Sequence, residues 1–107
     1  MTKTVLTIGM FDKDTESQLY SAGFFKSVIS DVLINKYDVF AFTMIDCNGY
    51  YRMTSTGNII NEPSIRVEMA TDEPMENLKA IVAELKNRLN QESVMVEITN
   101  NANIEFI

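Results

Sequence analysis

Apolar residues alternate from Thr4 to Met10, with Leu6, Ile8 and Met10 on one side and Val5, Thr7 and Gly9 on the other. Successive side chains of an extended chain point to opposite faces, so a period of two predicts a strand. The polar run Asp12-Lys13-Asp14-Thr15-Glu16 breaks the alternation and reads as a loop feeding a helix. Phe25, Val28, Ile29, Val32 and Leu33 then recur at three- and four-residue spacing. That period predicts a helix from roughly Gln18 to Asn35 that buries this stripe. Ser17 and Ser21 are both candidate N-caps, since a hydroxyl oxygen can accept from an unpaired amide of the first turn.

Val39 to Ile45 is rich in β-branched and aromatic residues and predicts a second strand. Asn48-Gly49 favours positive φ at both centres of a tight turn, so a hairpin is expected there, with Tyr50 to Thr54 returning. Thr56-Gly57-Asn58 reads as a second turn and Ile59-Ile60 as a short continuation. Pro63 lacks an amide hydrogen and is expected at a strand start or a bulge. Ser64 to Met69 places Ile65, Val67 and Met69 inward against Arg66 and Glu68. Thr71-Asp72-Glu73-Pro74 is a helix start, with a cap, acids near the positive helix end and proline in the first turn. Leu78, Ile81, Val82, Leu85 and Leu89 form that helix's stripe, and Asn90 is its stop. Val94, Val96 and Ile98 alternate as a further strand. Asn100-Asn101 can turn, and Ile104 to Ile107 is expected to add a short last strand.

This order predicts an α+β domain over residues 1–107 of the ferredoxin-like, split βαβ plan: an antiparallel sheet of four to five strands with two helices on one face. The uncovered face would show some of Val5, Phe40, Phe42, Tyr51 and Met95. An exposed apolar sheet face commonly marks a partner surface, so sheet-to-sheet self-association is expected.

Composition narrows the chemistry. The 107 residues include no histidine, no tryptophan and one cysteine. The commonest general base and metal ligand are therefore missing, and no internal disulfide can form. With 46% hydrophobic and 22% charged residues, the chain has the balance of a globular protein. Nine basic and fifteen acidic residues give a net charge of −6, which argues against nucleic acid as a partner. The N-terminus lacks the apolar core of a signal peptide, and no run is long enough to cross a bilayer. The expectation is a cytoplasmic protein without membrane contact and without a cofactor.

Asp12, Lys13, Asp14, Thr15 and Glu16 group carboxylates and a hydroxyl that could meet a hard cation or another ligand, though the spacing lacks the glycine of an EF-hand loop. A solvated loop whose acids favour the next helix is the plainer reading, and no metal site is assigned. Asp12→Ala and Asp14→Ala are expected to spare melting unless these acids are structural caps. Tyr50 and Arg52 share one strand face, Tyr51 takes the other, and Arg66 lies on a later strand. These residues could stack on a ligand, but cross-strand packing, or an Arg66–Glu62 or Arg52–Glu68 ion pair, is the plainer role. Cys47 has no histidine to activate it, and Asp46 beside it opposes the thiolate, so it reads as a small hydrophobe. The seven methionines read mainly as core filler.

Leu6-Thr7-Ile8-Gly9 followed by Asp12-Lys13-Asp14-Thr15, together with Glu62-Pro63-Ser64-Ile65-Arg66-Val67-Glu68 and Asn90-Gln91-Glu92-Ser93-Val94, resembles small uncharacterised proteins of Gram-positive bacteria and their phages or mobile elements. That resemblance implies an accessory protein acting against or alongside host defence, and it carries over no catalytic residues. The architecture is also similar to ferredoxin-like nitrogen-regulator and dimeric α+β proteins, which does not fix function. The leading expectation is a non-catalytic interaction module that self-associates, as a homodimer or higher oligomer, and binds a protein partner. The alternatives are a phage-type inhibitor of a host defence enzyme and, last, a metal- or small-molecule-binding protein, an enzyme using Asp12, Asp14, Glu16 and Arg66.

Overall fold

A computed structural model describes residues 1–71 and 76–107. The expected helix start at Asp72, Glu73 and Pro74 lies outside the described residues. The elements run β1 (Thr2–Gly9), α1 (Ala22–Ser30), β2 (Phe42–Arg52), β3 (Ile59–Thr71), α2 (Leu78–Arg88) and β4 (Met95–Thr99). The four strands form one sheet in the order β2-β3-β1-β4, with every neighbouring pair antiparallel. This is the split βαβ arrangement that the alternation implied.

Cross-strand partners share a face, so the pairs Leu6↔Val67, Ile8↔Ile65 and Met44↔Val67 define the covered side. There Leu6, Ile8, Ile65 and Val67 meet Phe25, Ile29, Val32 and Leu33 of the first helical segment and Ile81 and Leu85 of α2. Complete burial of a side chain such as Leu6 contributes about 1.5–3 kcal/mol. Ser21 is the α1 N-cap and accepts from the Phe24 amide at 3.2 Å. α1 runs on into a π-helical segment, Asp31–Lys36. Ion pairs tie this segment to α2, Asp31 to Arg88 at 2.7 Å and Lys36 to Glu84.

The hairpin sits elsewhere than Asn48-Gly49 suggested. β2 runs straight through both residues, pairing Asn48 with Pro63 and Gly49 with Glu62. The chain reverses at residues 53–58 instead, where Gly57 adopts φ 73° and its amide donates to the Met53 carbonyl at 2.8 Å. An eleven-residue β2 can align Phe42 and Met44 with Met69 and Val67 over the helices. A turn at Asn48 would forfeit that burial, so tertiary packing overrides the local preference. Pro63 lies inside β3 rather than at its start. Its carbonyl accepts from the Met10 amide at 2.9 Å, so its missing donor faces the side where β1 ends and breaks no bond to β2.

The open face carries Lys3, Val5 and Thr7 of β1, Ile45 and Tyr51 of β2, Arg66 and Glu68 of β3, and Met95 of β4. Of the apolar residues expected there, Tyr51 and Met95 are about half exposed. Val5 is only 3% exposed, set between its cross-strand partners Glu68 and Glu97. Phe42 turns to the helix side, and Phe40 precedes β2. Ile104 to Ile107 form no strand, and the tail instead attaches through the Ala102 amide to the Met1 carbonyl at 2.6 Å. Met10 and Met69 fill the core as expected, whereas Met95 does not. Among the described residues no helix is long and apolar enough to cross a membrane.

Candidate functional site

β1 stops at Gly9 because the next residues are recruited to a different structure. The Asp12 carboxylate accepts from the Asp14 and Thr15 amides at 3.0 and 3.2 Å, folding the chain over its own side chain. The Asp12 amide donates to the Ser17 carbonyl, and Glu16 closes the turn at φ 56°. On the far side α2 ends in a left-handed residue, Asn90 at φ 49°, with the Gln91 amide donating back to the Lys86 carbonyl at 2.9 Å. The Asn90 side chain then donates to Asp12 at 2.7 Å and to Asp14 at 2.9 Å. One residue therefore terminates a helix and locks the acidic loop. The Asn90 hydrogen bond, with smaller contributions from the two turn amides and Lys13, holds the Asp12 carboxyl below its usual range.

Between this loop, the ends of β2 and β3 and the α2–β4 connection lies a cleft of about 460 Å³. Gly9, Phe11, Asp12, Lys13 and Glu16 line one side, Tyr51, Met53, Ile60 and Glu62 another, and Gln91, Glu92 and Ser93 a third. Four carboxylates thus face one lysine, which gives the cleft a negative potential suited to a cationic ligand. Glu62 accepts from the Phe11 amide at 2.9 Å. The buried Gln91 side chain donates to the Phe11 carbonyl at 3.0 Å, so Phe11 is held from both sides. Tyr51 projects from the open face, and its phenol is pushed above its ordinary value by burial, then by Glu62 and Glu16. It stays protonated at neutral pH and can donate.

The expected site residues divide. Asp12, Lys13 and Glu16 line the cleft, but Asp12, Asp14 and Thr15 serve the loop itself. Tyr50 and Arg52 lie on the helix-side face of β2 beyond the helices, and the Arg52 guanidinium donates to the Gly57 carbonyl at 2.7 Å. Arg66 pairs with Glu68 at 3.0 Å on the open face, so neither Arg66–Glu62 nor Arg52–Glu68 forms. Cys47 donates weakly to the Ser64 carbonyl. Glu62, Gln91, Glu92 and Ser93 figured in the sequence only as parts of the resemblance segments, Glu62 also as a possible partner of Arg66, and none as a site residue; Tyr51 was marked only by its face. The available signal was Gly9, since a glycine at a strand's end marks a close approach of another group. Among the described residues no cluster of carboxylates and cysteine has the geometry to hold a metal ion.

No family model matches the chain, and no curated protein matches it by sequence. In fold it is similar to a phage SAM lyase in complex with S-methyl-5'-thioadenosine, with a TM-score of 0.65 and 17% identity over 92% of this chain and 79% of that one. The apo phage SAM lyase gives a TM-score of 0.61 and 23% identity, over 92% and 78%. A DUF3240 family protein from Shewanella baltica OS155 aligns over 99% of this chain and 96% of its own, with a TM-score of 0.56 and 11% identity. At these identities the likeness is one of fold.

Proposed function

We propose that this chain binds S-adenosylmethionine in the Gly9–Glu62 cleft and cleaves it as a lyase, releasing S-methyl-5'-thioadenosine. The observation that carries the reading is the pair of carboxylates, Glu62 and Glu16, beside Tyr51 in the cleft. A sulfonium is a fixed cation that cannot be neutralised by losing a proton. Its natural complements are carboxylates and an aromatic face, and Glu62, Glu16 and Tyr51 supply both. The chemistry also suits a chain without histidine. The α-carboxylate of the amino-acid arm can attack the carbon bound to sulfur and close a lactone as the carbon–sulfur bond breaks; sulfur keeps the electron pair and leaves as a neutral thioether, so no general acid is needed at the leaving group. The fold likeness to the phage lyase supports the same choice of ligand.

This reading turns the inhibitor expectation into an enzymatic one: the chain would act by removing a methyl donor rather than by binding a defence enzyme directly. Self-association through the open face, where Ile45, Tyr51 and Met95 are exposed, is compatible with it. Light scattering on the purified protein tests that point, and a strict monomer at high concentration removes it. The decisive assay is incubation of purified protein with S-adenosylmethionine and chromatographic measurement of S-methyl-5'-thioadenosine. Product above the uncatalysed rate is expected. Absence of both product formation and calorimetric binding of S-methyl-5'-thioadenosine overturns the proposal.

A further inference from the structure

The Glu62 carboxylate occupies a space that exists only because residue 9 has no side chain. A Cβ built at Gly9 would lie 2.2 Å from Glu62 Oε2, 2.5 Å from Cδ and 2.7 Å from Oε1. Every one of these contacts is the far end of a single flexible side chain. The backbone of Gly9 does not require glycine: Gly57 is the glycine with positive φ. What glycine provides at position 9 is room. Gly49, on the same face in β2, two strands from Gly9, is different, since a Cβ there would meet Ser64 Oγ at 3.5 Å, an ordinary contact.

Once in that space, the carboxylate is oriented by one donor. Oε2 accepts from the Phe11 amide at 2.9 Å. Phe11 is itself fixed by Gln91 and by its bridge to Gln18. Among the described residues no donor reaches Oε1, which leaves one carboxylate oxygen for a ligand in the cleft. The Glu62 backbone is held in β3 opposite Gly49, so only the side-chain torsions remain to be set.

We infer that Gly9 is a positioning residue. Its missing side chain makes the bay that holds Glu62, and the Phe11 amide fixes which oxygen is presented to the ligand. This rests on the cleft being the lyase site. Gly9→Ala should displace the carboxylate without unfolding the chain, because a flexible side-chain end can swing away. Misplacement of a positioned group by about an ångström costs on the order of 100-fold in rate, so kcat/KM should fall about 100-fold with melting unchanged. Gly49→Ala should leave both alone.

The test is a cycle of wild type, Gly9→Ala, Glu62→Ala and the double variant, with Gly49→Ala as control. Each is assayed for kcat, KM and melting, and the pH dependence of the Phe11 amide resonance is followed in all but the Glu62 variants. If Gly9 acts through Glu62, Gly9→Ala costs nothing further once Glu62 is alanine. The wild-type Phe11 resonance should follow a carboxylate titration that Gly9→Ala abolishes and Gly49→Ala keeps. Equal losses from Gly9→Ala in both backgrounds, or an unchanged Phe11 titration, would overturn the positioning role. If Gly9→Ala fails to fold, recovery of folding in the double variant supports the bay, and failure there overturns it. A wild type that neither cleaves S-adenosylmethionine nor binds its product overturns the functional reading instead, and the Phe11 titration still decides whether Gly9 holds the carboxylate.

Discussion

The two ends of the sheet's open face carry cavities of similar size and different character. At the end where β1 stops, the cleft of about 460 Å³ is walled by four carboxylates, a lysine and a tyrosine. At the end where β1 begins, a cavity of about 500 Å³ lies between Lys3, Thr43, Glu68 and Ala70 on one side and Ile104 and Phe106 of the C-terminal tail on the other. Volume does not separate them. Fixation does. At the first end Asn90 pins Asp12 and Asp14, Gln91 pins Phe11, and Phe11 pins Glu62. At the second end the tail is attached through Ala102, and Phe106 is 79% exposed. Specific recognition needs polar groups whose positions are set before the ligand arrives; among the described residues the second end offers one such group, Glu68 held by Arg66, against the linked set at the first.

The largest expected effect is at Glu62. Glu62→Gln should lower S-adenosylmethionine cleavage by about 100-fold or more, the scale of removing one positioned charged group. Lys3→Ala, at the other cavity, should leave it unchanged. Equal effects in a kinetic assay would erase the distinction between the two ends.

Next comes Asn90→Ala. Alanine must then adopt the left-handed conformation, at a cost of about 1–2 kcal/mol, and two hydrogen bonds to carboxylates are lost, so urea unfolding should show a clear destabilisation. The pH dependence sharpens the point. A carboxyl held below its unfolded value of 3.8 adds stability that is fully present above that pH and is lost as pH falls through the folded value. Asn90 is the main cause of the lowering for Asp12, so the gap between wild type and Asn90→Ala should narrow below pH 4. A constant gap would deny that the clamp acts through the carboxylate.

Tyr51 gives a smaller, spectroscopic effect. Its phenol titrates above 10.0 because burial and then Glu62 and Glu16 disfavour the phenolate. The unfolded chain releases this proton first, so the associated stability falls as pH rises from about 10 through the raised folded value. Glu62→Gln should bring the Tyr51 absorbance titration back toward 10.0, and no movement would separate the two groups. The smallest effect is expected from deleting residues 103–107. Melting and product binding should both stay near wild type, and a clear loss of either would give the tail a role that its exposure does not indicate.

This contrast bears on the sequence's own signals. The acidic run from Asp12 to Glu16 was conspicuous, and it does border the cleft. Its most prominent members, Asp12 and Asp14, are hydrogen-bonded in holding the loop rather than turned to the cleft alone. Glu62 entered only as a possible ion-pair partner of Arg66 and within the resemblance segment, since nothing local distinguishes a strand carboxylate on a solvated face from one laid over a glycine. Gln91 and Glu92 follow a helix stop and read as linker. Glu62 and Gln91 depend on Phe11, 51 and 80 positions away in the chain, beyond the reach of a local pattern.

The chain by itself determined the elements and their faces. The period of two in Leu6, Ile8, Ile65, Val67 and Met69, and the helical spacing of Phe25 to Leu33 and Leu78 to Leu89, are direct consequences of burying one side of each element. The tertiary structure decided the rest. It placed the β2–β3 turn at Gly57 rather than at Asn48-Gly49, because alignment of two long strands over the helices outweighs the preference of one dipeptide. It also brought Gly9, Tyr51, Glu62 and Gln91 to one cleft, because strand order and register, unlike periodicity, are set by contacts between residues far apart in the chain.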